Sequence, residues 1–262
     1  MIDSHGAWGE SAISHILLLG GTTEASALAQ ALAARGLPTT LSYAGRVATP
    51  KAQPCPVRVG GFGGVAGMVA WMRAAGVTHL VDATHPFAAT ISAHAAAAAA
   101  EAGVAHVALT RPAWQPEAGD DWRCVADVAG AVAALAGPTR RVMLATGRQH
   151  VEAFAAQPQH HYLLRFVDAP AAPPPLPRHD LVIDRGPFTA EGDTALMRAH
   201  GIELVVAKNA GGSGAAAKLA AARALGLPVL MIERPAMPAR TELYRVADVL
   251  GWLDHGATAR GV

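Results

Sequence analysis

The sequence predicts an α/β fold of two lobes, each built on a mainly parallel sheet. Three observations carry this expectation. Short apolar runs alternate with alanine-rich segments long enough to be helices, and glycine and polar residues gather where each run ends. The alternation then starts afresh after a Gly-Pro turn at residues 137–138. A chain of 262 residues suits such a division, because a single core stops growing near roughly 250–300 residues.

The elements follow in order. "HILLLGG" (15–21) is a buried strand entering a turn, "EASALAQALAARG" (24–36) a helix closed by Gly36, and "LPTTLSYAG" (37–45) a second strand. "CPVRVGGFGG" (55–64) is a strand with a Gly-rich turn, followed by a helix and the strand of "VTHLVDATHPF" (77–87). An alanine-rich helix then leads to "VAHVALTRP" (104–112). In the second half "RVMLATG" (141–147), "HYLLRFV" (161–167), "DLVIDRG" (180–186), "IELVVAKNAGG" (202–212) and "LPVLMIERP" (227–235) are strands ending in polar turns. The proline cluster "APAAPPPLP" (169–177) reads as an exposed connector. Strands joined by helical crossovers are parallel, so each lobe is expected to be an open α/β sheet. The expected boundaries are a tail at 1–14 outside the fold, a nucleotide-binding domain at 15–137 and a second domain at 138–262. The units "VTHLVDATHPF…VAHVALTRP" and "IELVVAKNAGG…LPVLMIERP" echo one another, as related lobes or simply as two βαβ units.

Composition excludes several classes. With 21 basic and 20 acidic residues the chain has no excess charge to draw nucleic acid or an anionic membrane. The longest apolar stretch, around "AHAAAAAA", is too short for a membrane span. The first residues lack the basic and apolar regions of a signal peptide. Cys55 and Cys124 form no C-x-x-C pattern, which fits a reducing, cytoplasmic setting. The histidines include the pair His160–His161 but no H-E-x-x-H arrangement, so no metal is expected, and no G-x-S-x-G or G-K-[ST] motif is present.

The chemistry-bearing residues sit at strand ends, where open sheets bind ligands. The fingerprint positions of a dinucleotide turn hold Gly20, Thr22 and Ala25. Gly21 supplies the tight turn, and the Thr22 and Thr23 hydroxyls join the helix N-terminus in holding phosphate, with Glu24 accepting ribose hydroxyls or complementing the helix dipole. An empty turn capped by threonine is the other reading. "LSYAGR" has no acid for a ribose 2′-OH; Ser42 and Arg46 instead suit a 2′-phosphate, unless Arg46 is only a solvated loop residue. Gly60, Gly61 and Phe62 follow the third strand and permit close backbone approach. In "DATHPFA" Asp82, Thr84 and His85 gather, with Pro86 fixing the turn; His85 is a ligand donor or a structural histidine. In the second half Thr146, Arg148, Asp184, Arg185, Lys208, Asn209 and Ser213 suit a polyanionic ligand, while Asp184 is either a proton donor or a partner of Arg185.

Taken together, "LLLGGTTEAS", "RVGGFGG", "DATHPFAA", "IDRGPF" and "KNAGG", in this order, resemble the precorrin-6A reductases of cobalamin biosynthesis over residues 15–253. The resemblance implies NADPH-dependent reduction of precorrin-6A to precorrin-6B, with hydride to C19 and a proton to C18 of the macrocycle. It implies two Rossmann-like lobes with the active site in the cleft between them, and cofactor contacts from Gly20, Gly21, Thr22, Thr23, Glu24, Ser42, Arg46, Gly60, Gly61, Phe62, Thr84 and Pro86. Substrate contacts are expected from His85, Arg111, Thr146, Gly147, Arg148, Arg185, Lys208, Asn209 and Ser213, with Asp184 first and His85 second as proton donor. Two other functions fit the residues: a two-lobed small-molecule binding or sensor protein without redox chemistry, and an NADPH reductase of another carboxylated substrate.

Overall fold

The computed structural model describes residues 15–44 and 52–258. The elements run β1 (Ile16–Leu19), α1 (Thr23–Ala34), β2 (Thr39–Tyr43), β3 (Val57–Val59), α2 (Gly64–Ala74), β4 (His79–Asp82), α3 (Ala89–Ala102) and β5 (Ala105–Leu109). There follow β6 (Trp122–Val125), α4 (Val128–Ala134), β7 (Arg141–Ala145), a 3-10 segment (Arg148–Ala156), β8 (His161–Phe166) and β9 (His179–Ile183). The last elements are α5 (Ala190–Ala199), β10 (Leu204–Lys208), α6 (Ala217–Leu225), β11 (Val229–Ile232), β12 (Glu242–Leu243) and α7 (Val246–Thr258).

Two six-stranded sheets result, ordered β12-β5-β4-β1-β2-β3 and β6-β11-β10-β7-β8-β9. Every pairing is parallel, from Leu17 opposite Thr40 in the first sheet to Val206 opposite Leu144 in the second. Each sheet places its leading strand, β1 or β7, at the centre, with the next two on one side and later strands on the other. The order therefore reverses between β1 and β4 and between β7 and β10, which are the switch points where such sheets open a crevice.

β1 is fully apolar and buried because helices cover both faces of the first sheet. Leu18, Leu28, Leu32, Leu41, Val249 and Leu253 pack on the face carrying α1 and α7. Leu17, Leu19, Met68, Met72 and Ala98 pack on the face carrying α2 and α3. The alanines of α3 keep side-chain bulk low at the contact with α2. In the second sheet Met143, Leu163, Met197, Val205, Leu219 and Met231 form a core under α5 and α6.

The compact units do not follow the expected boundary at 137/138. One unit runs to Arg111 and resumes at Ala236; the other spans Pro112–Pro235. The reason is strand pairing. β6 lies before the Gly-Pro turn but pairs with β11 of the second sheet, while β12 pairs with β5 of the first and α7 packs against α1. Both changes of unit fall at the Arg-Pro sequences that end the two echoing units, Arg111-Pro112 and Arg234-Pro235. The expected tail at 1–14 lies outside the described residues.

Candidate functional site

The first candidate site lies at the carboxyl ends of β1, β2 and β4. Gly20 leaves β1 beside β2, and a Cβ on it would stand 2.6 Å from Leu41 Cδ1, so a side chain there would displace Leu41. Gly21 follows at φ +131°, a conformation that requires glycine. A Cβ on Gly21, Gly60 or Gly61 would meet nothing within 4 Å, so open space borders both glycine turns. The first-turn N–H groups of α1 have no partner within the helix, as at any helix start. Glycine turns beside a helix N-terminus suit the phosphates of a dinucleotide.

The threonines divide their labour differently from the expectation. Thr22 is the N-cap: its hydroxyl accepts from Ala25 N at 3.1 Å and donates to Ala83 O at 2.8 Å. Its proton thus braces the end of β4 against the turn, and the N–H groups are left as the anion donors. Thr23 donates to Glu24 at 3.0 Å, and Glu24 faces Arg111 at 3.8 Å. Arg111, expected at the substrate, therefore stands beside the first glycine turn.

Beside Ser42 stands Arg58, a residue the sequence reading passed over. The two are register partners on β2 and β3, and Arg58 donates to Ser42 Oγ at 3.2 Å. The same guanidinium donates to the carbonyls of Gly60 and Gly61, both at 2.6 Å, and lies 3.7 Å above the Phe62 ring. Burial pulls Arg58 below its ordinary value, yet a guanidinium stays cationic at neutral pH. Arg58 thus joins the β2 end to the second glycine turn. The available signal was its place between Val57 and Val59, directly before the glycines. Arg46 lies outside the described residues.

Asp82 ends β4 and is buried. Its carboxylate accepts from Thr84 N at 3.1 Å and Thr84 Oγ1 at 2.7 Å, and pairs with Arg240 at 2.8 Å. Arg240 also meets Glu242 at 3.2 Å, so the returning segment supplies the counter-charge for the β4 loop. Burial pulls His106 below its ordinary range, which keeps it neutral beside the pair at pH 7. Farther along the loop, His85 Nδ1 accepts from Phe87 N at 3.2 Å across buried Pro86. This bond holds the imidazole half-buried, with its other nitrogen set by the tautomer.

The second candidate site lies at the carboxyl ends of β7, β8, β9 and β10. Thr146 is buried, and its hydroxyl has no hydrogen-bond partner among the described residues. Gly147 at φ +78° turns the chain into the 3-10 segment, where Arg148 is exposed. Asp184 is exposed, and Arg185 meets Asp168 at 3.0 Å instead of Asp184. Lys208 is half-buried at the end of β10, and Ser213 is exposed. Asn209 is fully engaged, accepting from Trp114 N at 2.8 Å and donating to Trp114 O at 3.2 Å. It pins Trp114, whose indole donates to Gly212 O at 2.9 Å. Gly211 is obligatory here, because a Cβ would lie 2.1 Å from Pro112 O.

Among the described residues no group of three His, Cys, Asp or Glu side chains is placed to hold a metal ion. No described helix is long and apolar enough to cross a membrane.

The Asp82–Arg240 pair generates a stability prediction. Arg240→Ala strands a buried carboxylate, so the expected cost is about 3–5 kcal/mol. Arg35→Ala, which breaks the exposed pair with Asp254, is expected to cost no more than about 1 kcal/mol. Chemical denaturation of the two variants compares them, and equal losses contradict this account.

Comparison with known proteins places the chain in a family. The family model for precorrin-6x reductase CbiJ/CobK matches residues 15–254. A precorrin-6A reductase of Rhodobacter capsulatus is 58% identical over 95% of this chain and 100% of its own length. A Rhodococcus erythropolis protein of the same name is 47% identical over 92% and 98%. A solved structure described as CobK precorrin-6A reductase superposes with a TM-score of 0.89 at 58% identity, covering 95% of this chain and 100% of that one. The chain belongs to the precorrin-6x reductase CbiJ/CobK family.

Proposed function

We propose that this protein is a precorrin-6A reductase of cobalamin biosynthesis, working in the cytoplasm with NADPH. The observation that carries the reading is the likeness to proteins of that name, which covers 95% of this chain and 100% of the R. capsulatus relative. The residues of the first unit suit the cofactor: glycine turns that border open space, a helix N-terminus, and Ser42 with Arg58 as hydroxyl and cation for a 2′-phosphate. Arg46 remains a second candidate cation. The residues of the second unit suit a polycarboxylate: Arg148, Arg185 and Lys208 lie at or just beyond strand ends, and Thr146 is buried at the end of β7.

Bound NADPH supplies the hydride, delivered to C19. The chain's own task is to orient the reacting faces, exclude water and place a proton at C18. Asp184 is the first candidate donor because it is exposed at the end of β9 and held by its backbone N–H to Phe166 O at 2.9 Å. His85 is the second, with its ring oriented by Phe87 N. Glu24 serves ribose hydroxyls, with the Arg111 guanidinium 3.8 Å from its carboxylate.

Three outcomes are expected. Anaerobic incubation of precorrin-6A with the protein and NADPH gives a product two hydrogens heavier by mass spectrometry; no gain removes the proposed activity. NADPH binds more tightly than NADH, and Arg58→Ala weakens NADPH about tenfold or more while leaving NADH little changed. Measured beside it, Arg46→Ala shows which cation reads the phosphate, and equal affinity of the unaltered protein for both cofactors defeats the NADPH assignment. Asp184→Asn lowers kcat with NADPH affinity kept, whereas unchanged turnover excludes Asp184 as donor.

A further inference from the structure

The loop after β4 is tied to the first glycine turn through one residue. Ala83 gives its N–H to Leu19 O at 2.9 Å and receives the Thr22 hydroxyl on its carbonyl at 2.8 Å. Leu19 and Thr22 stand on either side of Gly20 and Gly21, so Ala83 spans the mouth of the turn. The Thr22 oxygen that makes this bond also caps α1, accepting from Ala25 N at 3.1 Å. The position of Ala83 therefore sets the turn and the first N–H groups of α1 together.

Ala83 is in turn set by the residue before it. The Asp82 carboxylate divides its two oxygens. Oδ1 accepts from Thr84 N at 3.1 Å and Thr84 Oγ1 at 2.7 Å, closing a turn around Ala83, and Oδ2 accepts from Arg240 at 2.8 Å. The side chains of Asp82 and Arg240 are 2% and 6% exposed, so water does not replace the guanidinium as the partner that orients Oδ2. The guanidinium is itself fixed, since its Nε donates to Glu242 at 3.2 Å. A buried ion pair of this kind adds no more to folding than well-packed apolar side chains of the same volume would. What it adds is a fixed orientation of one carboxylate.

We infer that Arg240 is a positioning residue for cofactor binding, acting through Asp82, Ala83 and Thr22 to hold the first glycine turn in the geometry that receives the cofactor's phosphates. The inference rests on the NADPH reading of the first unit and adds to it a residue that holds the turn from outside, on the segment by which the chain re-enters that unit.

A double-mutant cycle read out as NADPH affinity tests it, at a temperature where circular dichroism shows every variant folded. Arg240→Met and Thr22→Val are each expected to raise Kd for NADPH about 2- to 30-fold. In the double variant Kd stays within about twofold of the weaker single variant, because both changes break one chain of contacts. Effects that multiply mean that Arg240 only stabilises the fold, and they overturn the inference; so does an unchanged Kd in either single variant. If Arg240→Met does not fold, Arg240→Lys takes its place in the cycle with the same criteria, since it keeps the charge beside Asp82 and loses the planar fork. Failure of the unaltered protein to bind NADPH defeats the cofactor reading instead.

Discussion

Parallel pairing is the constraint on which the rest depends. A strand that runs beside its predecessor in the same direction must be reached by a crossover, so every strand in a sheet ends on the same edge. In both sheets the loops after the strands consequently collect along one line, and the reversal of strand order opens a gap there. The glycine turn after β1 and the loop after β4 flank the gap in the first unit, and Thr22 bridges them with its bond to Ala83 O. In the second unit the corresponding gap lies between the ends of β7 and β10, where Thr146 and Asn209 stand. Sites thus arise at equivalent places in two sheets of the same order, and side-chain chemistry differentiates them.

That differentiation is electrostatic. In the first unit charge is tied down: Asp82 is matched by Arg240, Glu24 by Arg111, and Arg58 is held by carbonyls and a ring. A rigid, oriented set of dipoles suits a ligand bound in one pose. In the second unit Arg165, partly buried, is paired with buried Asp193, while Arg148 and Arg185 reach solvent. Exposed cations suit a ligand with several carboxylates at varied positions. Free energy is distributed accordingly, since exposed pairs such as Arg185–Asp168 contribute little to folding and stay available to an incoming anion.

The sequence by itself determined the fold class, the strands that form the centre of each sheet, and the family. Apolar periodicity and turn residues are local signals, and β1, β2, β4, β5, β7, β8, β10 and β11 all carry them strongly. The glycine turn was legible because Gly21 is demanded by the local backbone geometry, at φ +131°. The tertiary structure alone decided the edges and the partners. β6 alternates weakly and β12 has two residues, so neither announces which sheet it joins, and the boundary between units moved with them. The same holds for side chains: Arg58 with Ser42, Arg240 with Asp82 and Lys218 with Trp114 are separated by 16, 158 and 104 positions. Pairings over such distances are set by strand order and crossover geometry, which no local pattern encodes.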